Sequence, residues 1–460
     1  ANLIMTQDGY TSVAANHFGV WNNGYAWNRR ILEFLEDLKK YGGKFPKEVT
    51  SRMEAEVRFF RAYMFFIVFR AHGPFIIRNS LQDPVHLPLN TEQECWDFIE
   101  ADFDFAAANL PSAWTISTDH GRVTSWAALA MKSRAMLYAK RWQKAADAAK
   151  KVLDSGPFEL EKNFSDIFIN DKNRISKEHI LIKKYNHVFG LMHGIDEMIV
   201  PSGDVQGKGG RLCPTQELVD AFLMADGSEF PENNPFDSTM YLNREGRFYA
   251  TILYNGATWK GRKVETWVGA NPTLGNGKDR FLAYNSNPYP NTTVTGYYFR
   301  KLADEANTTF DLTYRRSDQD CIEIRLAEVY LNLAEAYHNL GRDQEATQLI
   351  LTVRNRSLSQ KTTQLNRDVK SELVKERLLE FALEGHRFWD LRRLGLAEEV
   401  LHDKKFHGAL ITKQNNGSFV FKKVEVDVNK RIYLPKFNRF PYPIGELNNN
   451  PNIAVQPNGW

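Results

Sequence analysis

Cysteine, excess charge and long apolar runs are all scarce in this sequence. Only Cys95, Cys213 and Cys321 occur among 460 residues, too few and too widely spaced for a disulfide framework or a cysteine-based zinc site, so we expect buried thiols. Lys and Arg (59) nearly balance Asp and Glu (56), and no large charge excess points to a nucleic-acid partner. The longest notable apolar run, Tyr63–Phe69, is far shorter than the ~18 residues of a membrane span.

Common catalytic motifs are also missing. The sequence contains no G-x-S-x-G, H-E-x-x-H or C-x-x-C pattern, which removes the usual hydrolase and zinc signatures. His187 and His193 lie near Asp196 and Glu197 in the sequence, but the spacing of the two histidines fits neither one helical face nor a tight turn. We therefore interpret these residues as scattered polar side chains on the surface. We therefore expect no metal, no cofactor and no catalytic residue. A glycosidase carboxylate pair leaves no trace in linear spacing and stays open.

Helical periodicity is what the sequence has in abundance. Apolar and small residues recur at helical spacing from Trp126 to Leu137 and again from Trp142 to Leu153, before Gly156 and Pro157. This unit of about 34 residues is typical of a tetratricopeptide hairpin. A second hairpin is predicted from Arg325 to Val353, with Glu328 and Glu335 off its apolar stripe. Further helices are predicted over the ranges Arg30–Lys40, Glu54–Phe69, Glu94–Ala108 and Ser371–Arg393.

The amino-acid composition changes between the two hairpins. Residues 201–295 are rich in Gly, Pro and Asn and include short β-type runs such as Phe248–Tyr254. A β-hairpin is predicted near Asn416, between Leu410–Thr412 and Ser418–Phe421. We predict a mostly α protein with one domain over 1–460. Its parts are a helical scaffold at about 20–160 and 320–400, a loop-rich ligand-facing region at about 200–300, and an irregular C-terminal segment at about 405–460.

Aromatic residues in this loop-rich region are the candidate ligand-binding residues. An exposed ring is costly unless it covers core or meets a ligand, and a ring flanked by amides and a guanidinium suits a sugar. Each ring could instead fold back and pin its own loop. If the rings are exposed, replacing Trp259 or Trp267 with Ala weakens binding and leaves the melting temperature unchanged. The candidate set is Trp259, Trp267, Tyr284, Tyr289, Arg262 and Asn271.

Six strings, in a fixed order, carry a family resemblance. They are Glu56–Ala62 (EVRFFRA), Pro214–Phe222 (PTQELVDAF), Thr295–Lys301 (TGYYFRK), Arg325–Ala336 (RLAEVYLNLAEA), Glu380–Leu391 (EFALEGHRFWDL) and Pro443–Leu447 (PIGEL). Together they closely resemble the SusD/RagB family of outer-membrane nutrient-binding lipoproteins, from about Trp21 to Trp460. The resemblance implies tetratricopeptide-like helical hairpins and non-catalytic capture of oligosaccharides or polysaccharides. It also implies delivery to a SusC-like TonB-dependent transporter at the bacterial cell surface.

The same resemblance shapes three further expectations. The lipid-bearing Cys is absent and the chain opens at Ala1, so we expect a mature or trimmed form whose N-terminal lipid anchor is not part of this chain. Ligand contacts in similar proteins come from variable loops, here 255–296, with Tyr10–Phe18 as a second candidate segment. Trp21 and Tyr25 match a packing pair of the family and are not assigned to the site.

The recurring strings themselves are interpreted as structural. Glu376, Glu380 and Glu384 share one helical face, and we expect them to form an ion-pair lattice with nearby arginines. The arginines considered as partners are Arg377, Arg387, Arg392 and Arg393.

Three other functions remain open at this point. RagB-like members are associated with peptide uptake, so peptides or another non-sugar nutrient are the first alternative cargo. A hydrolase with a hidden carboxylate pair is the second alternative, and a tetratricopeptide adaptor that binds protein partners is the third.

Overall fold

The chain forms a layered stack of helices joined to a region of short strands and loops. The structure is a computed structural model that describes residues 20–116, 119–169, 176–205, 209–283, 291–306, 317–453 and 455–460. Tyr10–Phe18, Tyr284 and Tyr289 lie outside the described residues. Within them, no helix is long and apolar enough to cross a membrane.

Fourteen α-helices are present in the described residues. Their bounds are α1 Val20–Tyr41, α2 Lys47–His72, α3 Glu92–Asn109, α4 Ser125–Tyr138, α5 Trp142–Ser155, α6 Ile195–Ile199, α7 Gln216–Ala221, α8 Gly246–Thr251, α9 Leu326–Asn339, α10 Asp343–Arg354, α11 Val369–Glu380, α12 Arg387–Arg393, α13 Ala397–Leu401 and α14 Ile444–Asn449. Each of α1 to α4 packs on the next helix, and α9 packs on α4, α5, α10 and α11. The mostly α fold and both predicted helical hairpins are confirmed.

Capping side chains explain where several of these helices start. The Thr91 hydroxyl accepts from the Glu94 N–H while the Glu94 carboxylate accepts from Thr91 N–H, which is a capping box at the start of α3. Thr124 caps α4 through Ala127 N–H, and Asp368 caps α11 through Ser371 N–H. Each cap satisfies a backbone donor that the first helical turn leaves unpaired.

Two predicted elements differ from the structure. Ser371–Arg393 is two helices rather than one, because Leu383 and Gly385 adopt positive φ angles of 68° and 81° and turn the chain between α11 and α12. The predicted strand Phe248–Tyr254 begins as α8 and only its end is β. Phe248 is buried in the core of the loop-rich region, so tertiary packing outweighs its β propensity.

In the described ranges, nine short strands form four small sheets. Their bounds are β1 His179–Lys183, β2 Ile252–Leu253, β3 Thr258–Trp259, β4 Arg262–Lys263, β5 Val268–Gly269, β6 Tyr298–Phe299, β7 Cys321–Arg325, β8 His407–Lys413 and β9 Phe419–Glu425. Antiparallel pairs join β1 to β7, β2 to β6 and β3 to β4, and the remaining sheet has the order β5-β8-β9. The predicted hairpin around Asn416 is confirmed as β8–β9, with Gly417 at φ 83° in its turn.

Two large apolar clusters fill the interior. One lies among the helices and includes Trp21, which packs on Tyr25 with ring centroids 5.2 Å apart, as expected for a packing pair. The other lies in the loop-rich region and includes Phe222, Trp259 and Tyr298. All three cysteines are unpaired thiols, and only Cys95 is fully buried.

A buried ion-pair lattice joins these two regions. Burial alone raises the pKa of Glu380, but the guanidinium groups of Arg356, Arg325 and Arg247 lower it to about 2. Arg325 Nη1 donates to Glu380 at 2.6 Å, and Arg247 Nη1 at 3.0 Å. Arg247 comes from α8 in the loop-rich region, so one α11 carboxylate is bonded to both parts of the molecule.

The predicted ion-pair lattice is present, but its predicted partners are wrong, and Glu384 lies beyond the end of α11 at Glu380 instead of on the same helical face. The carboxylates of Glu376, Glu380 and Glu384 bind residues far from α11 in sequence, namely Arg247, Lys301, Arg325, Arg354 and Arg356. Arg377, Arg392 and Arg393 have other contacts. Arg377 binds Asp390, Arg393 binds Asp390 and Glu335, and Arg392 lies over the Phe388, Trp389 and Phe440 rings.

The charged residues of α9 also depart from expectation. Glu328 and Glu335 lie off the apolar stripe, yet both are buried. Arg134 Nε donates to Glu328 at 2.6 Å, and Arg393 pairs with Glu335. A helix packed on all sides buries its polar face as well, and an opposite charge then compensates each carboxylate.

Candidate functional site

Trp259 lies in the core rather than on the surface. Its ring is 0% exposed, and its Nε1–H donates to Asp204 at 2.6 Å. The short hairpin of β3 and β4 directs the ring into the apolar cluster that also contains Val264 and Tyr298. The prediction that this ring is exposed is wrong, and the alternative that it pins its own loop describes it. A ring without solvent-accessible surface cannot stack on a sugar in this arrangement.

Arg262 holds two neighbouring carboxylates. Its Nη2 donates to Asp204 Oδ1 and to Asp279 Oδ1, both at 2.9 Å, and Nη1 donates to Asp279 Oδ2 at 2.7 Å. Although burial lowers the pKa of the guanidinium, the hydrogen bonds and charge of Asp279 and Asp204 raise it above its ordinary value. With Nε donating to Asp204 and Nη1 also to Lys263 O, every N–H group of Arg262 has a protein acceptor.

Trp267 and Asn271 attach their loop to the β8–β9 hairpin. The Trp267 ring is 9% exposed, its centroid lies 6.4 Å from that of Phe419, and Lys413 Nζ lies 4.6 Å from it. Asn271 donates to Asn415 Oδ1 at 2.7 Å, and its own Oδ1 accepts from two backbone N–H groups of the following turn. Both side chains fix loop geometry.

The described members of the predicted ligand-binding set therefore form two separate clusters. Trp259 and Arg262 share Asp204, whereas Trp267 and Asn271 share the β8–β9 hairpin. The described members do not converge on one open surface.

The most exposed apolar loop lies elsewhere, between β1 and α6. Val188, Phe189 and Leu191 are 73%, 77% and 58% exposed, and we call these three residues the apolar loop tip. Exposed apolar groups gathered in one turn are costly in water and typical of a contact surface.

Hydrogen bonds of Asn186 hold this turn. Its N–H donates to Leu191 O at 2.8 Å and its carbonyl accepts from Leu191 N–H at 3.0 Å. Its side-chain Oδ1 accepts from Val188 N–H at 2.8 Å. Gly190, at φ 70°, supplies the left-handed residue that the turn needs. The Phe189 ring is thus presented by a preorganised turn.

The base of the loop is tied to the segment that precedes β7. His193 and Ser317 exchange two backbone hydrogen bonds of 2.9 and 2.8 Å, and a His193 ring nitrogen lies 2.8 Å from Gln319 O. The Tyr185 ring meets the His193 ring edge-on at 4.7 Å. Tyr185 N–H also donates to Asp320 Oδ1 at 2.9 Å.

Asp196, three residues after His193, is a buried carboxyl group. Burial raises its pKa to about 6, although its Oδ2 accepts from Asp304 N–H at 3.3 Å. The residue is only 3% exposed. A carboxyl group without solvent access cannot protonate a glycosidic oxygen of a surface-bound chain. Among the described residues, no group of three or more His, Cys, Asp or Glu side chains is arranged to hold a metal ion.

The sequence analysis missed the apolar loop tip. Its signal is an apolar pair, Val188 and Phe189, enclosed by the turn formers Asn186 and Gly190. Apolar residues at the centre of a tight turn cannot reach a core, because both neighbours point the chain outward. The predicted ligand-binding residues lie instead in the segment that is richest in aromatic rings.

Comparisons with known sequences and with solved structures identify the same family. A sequence model of the SusD family matches residues 177–460, and a second, described as starch-binding associating with outer membrane, matches residues 1–137. The starch-binding protein SusD of Bacteroides thetaiotaomicron is 25% identical over 447 residues, which cover 88% of this chain and 72% of that protein. A SusD-like protein of Bacteroides ovatus is 21% identical over 490 residues, covering 97% and 82%.

Solved structures share the architecture. A SusD-like protein from Bacteroides fragilis is 27% identical, with a TM-score of 0.82 over 98% of this chain and 88% of that one. A structure described as a laminarin-binding SusD-like protein is 22% identical, with a TM-score of 0.64 over 96% and 85%. One with a xylogluco-oligosaccharide is 20% identical, with a TM-score of 0.66 over 97% and 89%. The last two show the same fold.

Proposed function

The chain belongs to the SusD family of glycan-binding proteins, and from this membership we propose that it captures oligosaccharides or polysaccharides without cleaving them. The family match over residues 177–460 carries the proposal. The starch-binding relative and the laminarin and xyloglucan neighbours support sugars as the cargo.

We assign the glycan contact to the apolar loop tip instead of to Trp259. A sugar ring presents an apolar C–H face, and an exposed aromatic ring such as Phe189 offers a flat partner for it. Hydrogen bonds of Asn186 hold the turn, so little conformational entropy is lost when a ligand binds. Tyr284 and Tyr289, from the original set, remain candidates for the same role.

A binding role fits the chemistry of the surrounding residues better than catalysis does. Near the loop, burial raises the pKa of two described carboxyl groups: that of Asp196, which is buried, and that of Asp320, which accepts a hydrogen bond from Tyr185 N–H. A glycosidase needs an acid and a second carboxylate about 5–10 Å apart that both reach the scissile bond.

We further propose that the protein works at the outer membrane together with a SusC-like TonB-dependent transporter. The family description, starch-binding associating with outer membrane, supports the location. An N-terminal lipid anchor and delivery of cargo to the transporter complete this proposal.

Calorimetric titration against a panel of neutral polysaccharides and oligosaccharides, with mixed peptides as the comparison, tests the function. We expect saturable heat from at least one glycan. Phe189→Ala should weaken that binding by about 1–2 kcal/mol, because it removes the stacking face. Phe60→Ala removes an exposed ring from α2 and serves as the matched control.

Two outcomes would contradict these proposals. Heat from peptides alone would replace the glycan with a peptide cargo. Glycan binding that survives Phe189→Ala unchanged would keep the function and reject the loop tip as its site.

A further inference from the structure

A second open cleft lies between the end of α1 and the start of α2. It has a volume of about 620 Å³, within the range of small-molecule sites. Its lining includes Gly43 and Phe45, from the turn between α1 and α2, and Lys39, Lys47, Thr50 and Ser51 of the two helices.

The lining carries a positive charge that the protein does not neutralise. Lys39 and Lys47 are exposed, and neither forms an ion pair with another described residue. Arg58 is already occupied, since it pairs with Glu54 at 2.6 Å and with Asp102 at 3.4 Å. The two lysines are therefore the cations available to a ligand, and Lys40 beside them adds to the local positive potential.

The same cleft offers an aromatic face and a hydroxyl group. Phe45 is 59% exposed and held at the rim, because its N–H donates to Gly42 O at 2.9 Å. The Thr50 hydroxyl donates to Lys47 O at 3.0 Å. The Ser51 hydroxyl forms no hydrogen bond with any other described residue. A Cβ added to Gly43 would meet no atom within 4 Å, so the wall on that side is open.

We propose that this cleft is a second binding site, specific for an acidic saccharide that carries carboxylate or sulfate groups. Phe45 stacks on the C–H face of one sugar ring, while Lys39 and Lys47 bind the acidic groups as point charges. The Ser51 hydroxyl pairs with a sugar hydroxyl. The volume suits one to three sugar residues. A neutral sugar leaves both ammonium groups without an anion, which is the basis of the specificity.

This site is independent of the apolar loop tip, which lies on another loop of the molecule. Phe189→Ala should leave the binding of acidic saccharides unchanged. The two proposals can therefore fail separately, because the titrations of neutral glycans test only the first.

Titration of the purified full chain with di- and trigalacturonate and with a sulfated galactan disaccharide tests the second site. Methyl esters of the galacturonates are the neutral comparison, because they keep the ring and its hydroxyl groups. We expect at least one acidic probe to bind, with affinity that falls as salt rises. The double variant K39Q/K47Q should bind it at least tenfold more weakly.

The matched control removes two exposed lysines elsewhere. Lys361 and Lys370 are exposed, do not line the cleft and form no ion pair with another described residue. K361Q/K370Q should change the affinity by less than twofold. Phe45→Ala should weaken binding at least fivefold, and hydrogen exchange should slow in residues 39–51 of the wild type when the acidic probe is bound.

Four results would overturn the proposal. The first is no binding by any acidic probe, and the second is equal affinity for a galacturonate and its methyl ester. The third is an equal loss in K39Q/K47Q and in K361Q/K370Q, which would indicate unspecific charge attraction. The fourth is binding to vesicles containing phosphatidylglycerol that requires Lys39 and Lys47 while no saccharide binds, which would assign the lysines to a lipid surface.

Discussion

The helical scaffold and the loop-rich region bury their large side chains by different means. In the hairpin of α4 and α5, small and apolar residues repeat at helical spacing, so that one face of each helix is buried against neighbouring helices. In the loop-rich region, Trp259 is buried through a hydrogen bond to Asp204, 55 residues away. Tyr297 donates to Gln216, 81 residues away. In the helical scaffold, the buried residues follow the period of the helix. In the loop-rich region, they are held by polar contacts between distant parts of the chain.

The ion-pair lattice on α11 connects the helical scaffold with the loop-rich region. Glu376 and Glu380 lie one turn apart on this scaffold helix and Glu384 lies just after its end, whereas the partners Arg247 and Lys301 come from outside the scaffold. Charges buried in this way depend on one another, because removal of one leaves its partners without compensation. The comparison therefore predicts that damage to the lattice costs more than damage to either region alone.

Glu380→Gln should have the largest effect. It leaves the guanidinium groups of Arg247, Arg325 and Arg356 with one carboxylate fewer in a buried site, and we expect a loss of about 3–5 kcal/mol in the free energy of unfolding. Urea denaturation at pH 7 measures it. Glu425→Gln is the control, since this exposed carboxylate pairs only with Lys405 at 2.8 Å. Equal behaviour of the two variants would mean that the lattice is not a joint between the regions.

Trp259→Ala should be the next most damaging change. We expect a loss of about 3 kcal/mol and a clear fall in melting temperature, because the substitution opens a cavity in the second core and removes a donor to Asp204. This replaces the prediction of an unchanged melting temperature. Thermal unfolding checks it, and a shift of less than 2 °C would restore the exposed position that the sequence suggested.

Asp196 should make its own contribution to the pH dependence of stability. Its pKa is about 6 in the folded protein against 3.8 for the ordinary group, so the folded state binds more protons between these values. The contribution of Asp196 to stability therefore falls as pH rises from about 4 to about 6 and stays lower above that, whereas His72 and His386, whose pKa burial lowers to about 4, act in the opposite sense. Asp196→Asn should remove about 1–3 kcal/mol of this fall.

Denaturation curves at pH 4 and pH 7 test the Asp196 prediction. The wild type and the variant should differ in the size of the change between the two conditions. An identical pH dependence in both proteins would show that Asp196 keeps its charge in the fold.

Phe189→Ala should have the smallest effect on stability, below about 0.5 kcal/mol, because the ring is exposed and supports no core. Its consequence should appear in ligand affinity alone. A large loss of stability would mean that the loop tip is covered by protein rather than available to a glycan. Val428→Ala, at another exposed apolar residue, provides the comparison for stability.

Local sequence patterns were enough to predict the helical hairpins, the β8–β9 hairpin and the shared face of Glu376 and Glu380 on α11. Each depends on a short repeat or a turn residue, and such contacts lie within a few positions along the chain. The order of the six strings was also enough to indicate the family.

The tertiary structure was needed to identify the partners of those glutamates, the burial of Trp259 and the exposure of Phe189. Arg247 lies 133 residues before Glu380, and no local pattern records that the two meet. Composition shows how many aromatic rings a loop carries but not which face of the loop meets the core, because that depends on where the rest of the chain packs. The physical reason is that helix and turn preferences act over a few residues, whereas burial is a property of the whole packed molecule.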